Sequence, residues 1–139
     1  CYDVDLFAYA EFDSVDGNDK FRMMDMSARD GNRDGAALRF VAERLMTRPE
    51  PCKLLFIISD GQPAGSGGYF GTAAEADLRG IKAEYERKGI TLFAAAIGDD
   101  KQNIKRIYGD GFIDISDLSK LPTTLGKILI AKINQKYAA

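Results

Sequence analysis

The sequence predicts a three-layer α/β/α domain with a mostly parallel sheet between its helices. Two stretches, residues 54–58 and 90–97, are apolar almost without interruption, which is typical of short strands covered on both faces. Each stretch stops at a turn sequence, residues 59–61 and 98–100. From the middle of the chain onward, strands of this kind alternate with segments of helical periodicity. This alternation is typical of parallel strands joined by right-handed crossovers.

The first part of the chain predicts two strands ahead of any helix. Residues 4–12 are rich in apolar and aromatic side chains with a partial alternation, which favours a strand. Residues 13–19 contain Gly17 and Asn18 and predict a turn. Residues 20–26 form a second predicted strand, and the short connection favours antiparallel pairing between the two.

Helices account for most of the remaining chain, because apolar side chains recur there at helical spacing. The first helix has its apolar face over residues 37–45, the second runs from about residue 72 to 88, and the third covers residues 103–108. The last helix starts near Pro122, and its apolar stripe consists of Leu125, Ile128, Leu129 and Ile133. Gly89 is suited to end the second helix. Residues 112–115 predict a small strand, and the glycine-rich residues 62–71 predict a mobile loop.

Composition restricts the function further. The 139 residues predict a single domain, and a net charge of −2 provides no general basic field for nucleic acid. No apolar stretch has the length of a membrane span. With only Cys1 and Cys52, the chain cannot hold a disulfide framework, which favours the reducing cytoplasm. The absence of histidine removes the commonest general base. Because the chain opens with cysteine rather than methionine, we expect it to be a piece of a longer protein.

Acidic and amide side chains are predicted to meet at one edge of the sheet. The carboxyl ends of parallel strands share an edge, and ligands bind there in open α/β sheets. The residues concerned lie in three loops: Asp30, Asn32 and Asp34; Ser59 and Asp60; Asp99 and Asp100. Their oxygens suit a hard divalent cation such as Mg²⁺. The alternative is that they cap helices and form turns, with Asn32 or Asp34 as the N-cap of the first long helix.

Several segments, in their order along the chain, resemble a von Willebrand factor A (vWA) domain, a Rossmann-like fold. They are residues 32–38, 43–45, 48–50 and 54–63, followed by residues 89–90, 96–98 and 107–109. The resemblance covers roughly residues 4–130. It is strongest to the C-terminal domains of the cobalt-chelatase accessory subunit and of the nitric oxide reductase activation protein. It implies one vWA-like domain over residues 1–139, truncated at its N-terminus, with the first strand lying upstream.

The resemblance also implies an incomplete metal ion-dependent adhesion site. In that family three loops build the site, and Asp60 matches the aspartate of the third loop. Asn32 lies where the second loop usually has threonine, and Asp34 is its acidic neighbour; Asp99 and Asp100 would be outer-shell groups. The Asp-x-Ser-x-Ser sequence of the first loop does not occur in this chain. We therefore expect Mg²⁺ or Mn²⁺ only in the full-length protein, and no metal in this chain.

By the same resemblance, the chain would be a protein-interaction domain rather than an enzyme. Its partner would be an AAA+ ATPase, in cobalt chelation for cobalamin biosynthesis or in activation of nitric oxide reductase. Neither nucleic acid nor membrane is an expected partner, and the truncated chain would form a homodimer or close its sheet.

A flavodoxin-like phosphotransfer domain is the main alternative. Asp60 would accept the phosphoryl group, Lys101 would approximate the basic partner, and residues 65–71 would cradle phosphate. A hydrolase is disfavoured because Ser59 has no histidine base. Tyr69 and Phe70 in the glycine-rich segment are either contact anchors for a partner or a small lid folded onto the protein.

Overall fold

The computed structural model describes residues 4–25, 27, 31–61, 63–96, 101–115 and 117–137. The strands within these residues are β1 (Lys53–Ser59), β2 (Ala64–Gly65), β3 (Tyr69–Phe70), β4 (Ile90–Ala96) and β5 (Phe112–Asp114). The α-helices are α1 (Asp19–Arg22), α2 (Asp34–Met46), α3 (Gly71–Arg87), α4 (Lys101–Tyr108) and α5 (Leu121–Tyr137). Short 3₁₀ turns cover Met23–Asp25, Gly109–Gly111 and Leu118–Lys120. The four predicted helices and the strands β1, β4 and β5 are therefore confirmed.

The main sheet has three parallel strands in the order β1-β4-β5. Lys53 lies opposite Ile90 at the start of the β1–β4 pair, and Ala94 lies opposite Phe112 in the β4–β5 pair. This confirms that the strand 90–97 is the neighbour of the strand that ends at Ser59. β2 and β3 form a separate antiparallel hairpin.

Helices cover both faces of the sheet, because side chains of β4 alternate between two cores. On one face α2, α3 and α4 contribute Leu38, Ala42, Leu78, Ile81, Tyr85, Ile104, Ile107 and Tyr108, which pack against Ile90, Leu92, Ala94 and Ala96. On the other face α5 packs Leu121, Leu125 and Ile128 against Phe93, Ala95, Ile113 and Ile115. The rings of Phe56 and Phe93 stack there with centroids 5.1 Å apart. The predicted three-layer α/β/α architecture is thus confirmed.

The prediction that the strand ending before Asp60 is central and fully buried was wrong. β4 is central, and among the described residues no strand pairs with the outer edge of β1. As a result most of β1 is only half-buried, and 58% of Ile58 is exposed. An apolar run indicates that both faces of a strand are covered, but it does not indicate how many neighbours the strand has.

The two strands predicted before the first long helix were also wrong. Residues 4–12 run without regular structure over α2, where Phe12 lies near Arg44 and Arg48. A strand needs a neighbouring strand to pair with, and none of the described strands pairs with this segment. The described part of residues 20–26 forms α1 and the following 3₁₀ turn instead, stabilised by pairing of Arg22 with Asp16 and Asp19.

The predicted mobile loop at residues 62–71 contains the β2–β3 hairpin. Gly67 and Gly68 adopt φ of 69° and 83°, which permits the tight reversal between the two strands. In α5, Leu125 and Ile128 face the core as expected, but Ile133 is 43% exposed and therefore lies outside the stripe. None of the described helices is long and apolar enough to cross a membrane.

Candidate functional site

The turn after β1 is anchored to α4, which is joined in turn to α3. Gly61 has a φ of 95°, as its predicted role in a sharp turn requires, and its N–H donates to Ser59 Oγ over 3.1 Å. The Gly61 carbonyl accepts a hydrogen bond of 3.4 Å from Asn103 Nδ2 on α4. Arg106 contacts Asn103 and donates to Glu75 on α3 over 2.9 Å. These contacts hold the turn that carries Asp60.

Asn32 and Asp34 meet beside that turn at the start of α2. Asn32 Nδ2 donates to Asp34 Oδ1 over 2.7 Å, and Asn32 Oδ1 accepts the N–H of Ala64 over 2.9 Å. Burial raises the pKa of Asp34; the hydrogen bond from Asn32 opposes this shift, and the negative charge of Asp60 adds to it. The three predicted residues are therefore neighbours. The N-cap position is occupied by Arg33 without a side-chain cap, so the capping alternative for Asn32 and Asp34 was wrong.

The donor set for a metal ion is incomplete among the described residues. Asp34 and Asp60 supply two carboxylates, whose mutual repulsion a cation would relieve. The amide oxygen of Asn32 already accepts a backbone hydrogen bond. No group of three or more acidic, histidine or cysteine side chains within the described ranges is arranged to hold a metal. Two carboxylates fit a Mg²⁺ ion only if it keeps several of its waters. Asp30, Asp99 and Asp100 lie outside the described residues.

Tyr69 folds back onto the protein, whereas Phe70 points outward. Tyr69 Oη accepts the N–H of Gly35 over 2.9 Å and donates to Asp77 Oδ2 over 3.0 Å. Asp77 is paired with Arg39, with Nη2 and Oδ1 2.6 Å apart. Burial and the hydrogen bond to Asp77 raise the pKa of Tyr69 to about 12. The hydrogen bonds from Arg39 and Tyr69 lower the pKa of Asp77. Phe70 is 65% exposed, so only Phe70 fits the contact-anchor alternative.

Arg33 joins the start of α2 to the hairpin. Its guanidinium lies 5.7 Å from the centroid of the Tyr69 ring, and Nη2 donates to the carbonyl of Ser66 over 2.7 Å. Arg33 Nε is buried without a hydrogen-bond acceptor among the described residues. The hairpin therefore contacts Asn32, Arg33 and Gly35 in turn.

The sequence did not indicate that Arg39, Asp77 or Tyr108 belongs near the site. Arg39 and Asp77 lie on different helices, and on each helix they resemble ordinary charged surface residues. Tyr108 is buried, and its pKa is raised by that burial and by the charges of Asp34 and Tyr69. No local pattern could have identified them, because residues far apart in sequence make the contacts.

Comparisons with known proteins place the chain in a family. The family described as "Cobalamin biosynthesis protein CobT VWA domain" matches residues 18–133. Protein NorD of Brucella suis biovar 1 (strain 1330) is 32% identical over 98 residues, which are 69% of this chain and 16% of that protein. Uncharacterized protein YojO of Bacillus subtilis (strain 168) is 30% identical over 112 residues, 77% of this chain and 17% of that protein. The aligned chain thus spans about one sixth of these curated relatives. No solved structure matches.

Proposed function

This chain belongs to the family of the cobalamin biosynthesis protein CobT VWA domain, and from that membership we propose that it is a vWA-type protein-interaction domain. Its binding edge is the carboxyl edge of β1, where Asp60, Asn32 and Asp34 form part of a metal ion-dependent adhesion site. The domain is not an enzyme in this proposal. The parts of the site that this chain lacks come from elsewhere in the full-length protein.

The observation that carries this proposal is the proximity of Asp34 and Asp60. Burial raises the pKa of Asp34, and the negative charge of Asp60 adds to this shift. Such an arrangement costs stability unless a cation or a basic partner neutralises it. When bound there, Mg²⁺ or Mn²⁺ would supply open coordination positions for an oxygen ligand of the partner. The exposed Phe70 on the adjacent hairpin gives the same surface an apolar contact.

The partner in this proposal is an AAA+ ATPase. The parent protein would work with it in cobalt chelation during cobalamin biosynthesis or in activation of nitric oxide reductase. The family description and the similarity to Protein NorD support these two systems. We further propose a cytoplasmic location, supported by the free thiol of Cys52.

Capture of the ATPase by the full-length protein tests the proposal. The tagged protein is purified from its source cells, and an AAA+ ATPase is identified by mass spectrometry of the co-purified proteins. We expect recovery with the wild type and a loss of tenfold or more with Asp60→Ala. Asp110→Ala is the matched control. This exposed aspartate precedes β5 and therefore lies at the amino ends of the parallel strands, whereas the candidate site lies at their carboxyl ends. No ATPase, or equal recovery with Asp60→Ala, would contradict the proposal.

The described residues give the phosphotransfer alternative little support. Lys101, the basic residue considered for the phosphoryl group, pairs with Asp114 at 3.0 Å. The glycine-rich segment forms a hairpin rather than an open phosphate-binding loop. A small phosphodonor followed by intact-mass measurement distinguishes the two functions. A mass gain that disappears in Asp60→Asn would favour phosphotransfer over an interaction domain.

A further inference from the structure

We propose that Tyr69 is a positioning residue for the candidate site: through its hydroxyl, it fixes the start of α2 so that Asn32 and Asp34 lie beside Asp60. The inference rests on the proposed function, because it concerns the same site. Tyr69 itself touches neither a metal nor a partner in this account. It acts through the backbone of Gly35, the residue that follows Asp34.

The tyrosine hydroxyl satisfies two groups that lie on different helices. It accepts the N–H of Gly35, one of the first N–H groups of α2, which have no partner within the helix. It donates to Asp77 of α3, whose other oxygen is bound by Arg39 of α2. The result is a closed set of contacts between α2, the hairpin and α3. Removing the hydroxyl leaves both the Gly35 N–H and Asp77 without this partner.

The fit around this hydroxyl is close. A Cβ added at Gly35 would overlap both Tyr69 Oη and Asp77 Oδ2. A Cβ added at Gly65 would lie 2.7 Å from Arg33 Cγ, so the hairpin also packs closely against the loop that carries Asn32 and Arg33. Because both surfaces are in contact, a shift of the hairpin changes the position of the loop that carries Asn32.

The same hairpin reaches the candidate site directly. The N–H of Ala64 donates to Asn32 Oδ1, and Arg33 donates to the carbonyl of Ser66. The hairpin follows the Asp60 turn along the chain and precedes α3. It therefore connects the two halves of the site, and Tyr69 is its most buried anchor at the helix side.

Hydrogen–deuterium exchange of the full-length protein, measured by mass spectrometry, tests this role with Tyr69→Phe. Loss of one hydrogen bond worth about 1 kcal/mol corresponds to roughly fivefold faster exchange. We expect this acceleration in peptides spanning residues 31–38 and 63–70, with residues 90–96 unchanged. Tyr85→Phe is the matched control, since it removes a tyrosine hydroxyl that donates to Glu43 over 2.6 Å elsewhere on α2.

Two further variants test the mechanism. Asp77→Asn keeps an oxygen that accepts from Tyr69, so exchange near Asn32 should stay close to that of the wild type. Asp77→Leu removes this acceptor but keeps the hydroxyl that accepts the Gly35 N–H, so it should accelerate exchange in the same peptides by less than Tyr69→Phe. Unchanged exchange at residues 31–38 and 63–70 in Tyr69→Phe would overturn the proposal. So would an equal acceleration at residues 90–96, which would indicate a general loss of stability.

Failure of the proposed function can be recognised separately. ATPase capture is measured on the same variants. Local acceleration together with unchanged capture supports positioning by Tyr69 and contradicts the use of this edge for binding. Unchanged exchange contradicts positioning, whatever the capture assay gives.

Discussion

Replacing Ile58 by alanine should cost little stability in this chain, because β1 is an edge strand. Truncating a fully buried isoleucine or leucine costs about 2–5 kcal/mol. Ile58 is 58% exposed, so less than half of its surface leaves water on folding, and no closed cavity remains after truncation. We therefore expect Ile58→Ala to lower the free energy of unfolding by about 1 kcal/mol. Ile81→Ala is the matched control, since Ile81 is fully buried between α3 and the sheet, and it should cost about 2–5 kcal/mol.

Urea unfolding of the 139-residue chain measures both costs. The midpoint should shift slightly for Ile58→Ala and strongly for Ile81→Ala, with the slope unchanged. In a chain extended upstream, the strand expected to pair with β1 would cover Ile58. Its truncation should then approach the cost of a buried isoleucine.

Equal costs for Ile58→Ala and Ile81→Ala in the 139-residue chain would refute this reasoning. Sedimentation over a range of concentrations would then identify what covers Ile58. A dimer that dissociates on dilution would indicate pairing of two β1 edges, as expected for an exposed apolar strand. A monomer would indicate that the sheet closes within the chain.

Three further predictions concern the candidate site and its surroundings. Titration calorimetry with Mg²⁺ or Mn²⁺ should detect weak binding or none in this chain. It should detect tight binding in a chain extended upstream by roughly fifty residues, the length of one strand and a crossover helix. Tight binding by the short chain would show that its own carboxylates suffice. Because the pKa of Asp34 is raised on folding, the folded state binds more protons than the unfolded state between the two pKa values, and stability falls as pH rises through that window. Asp34→Asn should therefore raise the melting temperature at pH 7 but not at a pH below the ordinary aspartate pKa, and a gain that is the same at both pH values would contradict this origin. Gly35→Ala should destabilise the fold by about 1–3 kcal/mol through overlap with Tyr69 and Asp77. Gly80→Ala, inside α3 with no atom near the added Cβ, should stabilise it by about 0.5–1 kcal/mol, and thermal melts that rank the two in the opposite order would refute the packing at Gly35.

The sequence correctly predicted the strands and helices that pack into the two cores, because the spacing of their apolar residues indicates which faces are buried. Residues 90–97 are apolar on both faces, and β4 is indeed covered by helices on both faces and paired on both edges. Residues 54–58 carry the same pattern, yet β1 is an edge strand. The apolar pattern of a strand indicates how its two faces are packed. Pairing at its two edges depends instead on which other strands are available. The segment 4–12 failed for the same reason, since its composition suits a strand but none of the described strands pairs with it.

The candidate site was partly predictable. The location of Asp60 was predictable because it follows an apolar strand, and that of Asn32 and Asp34 because their loop leads into a helix at the same edge; their role as a metal site stays a prediction. Their neighbours were not found, since Tyr69 Oη meets the Gly35 N–H across 34 positions of sequence. Such contacts depend on how the hairpin lies against α2, and no local spacing encodes that.

The place of β4 between β1 and β5 has a consequence during synthesis of the chain. β1 must wait for Ile90, 37 residues after its partner Lys53, whereas Ala94 and Phe112 are separated by only 18 residues. Until β4 emerges, five consecutive apolar residues of β1 lack their β4 partner, and exposed apolar strand edges favour aggregation. The run lies between the charges of Lys53 and Asp60, with Ser59 as the only residue between it and Asp60. Charges at such positions act as gatekeepers. Asp60 thus protects the nascent strand before it belongs to any site.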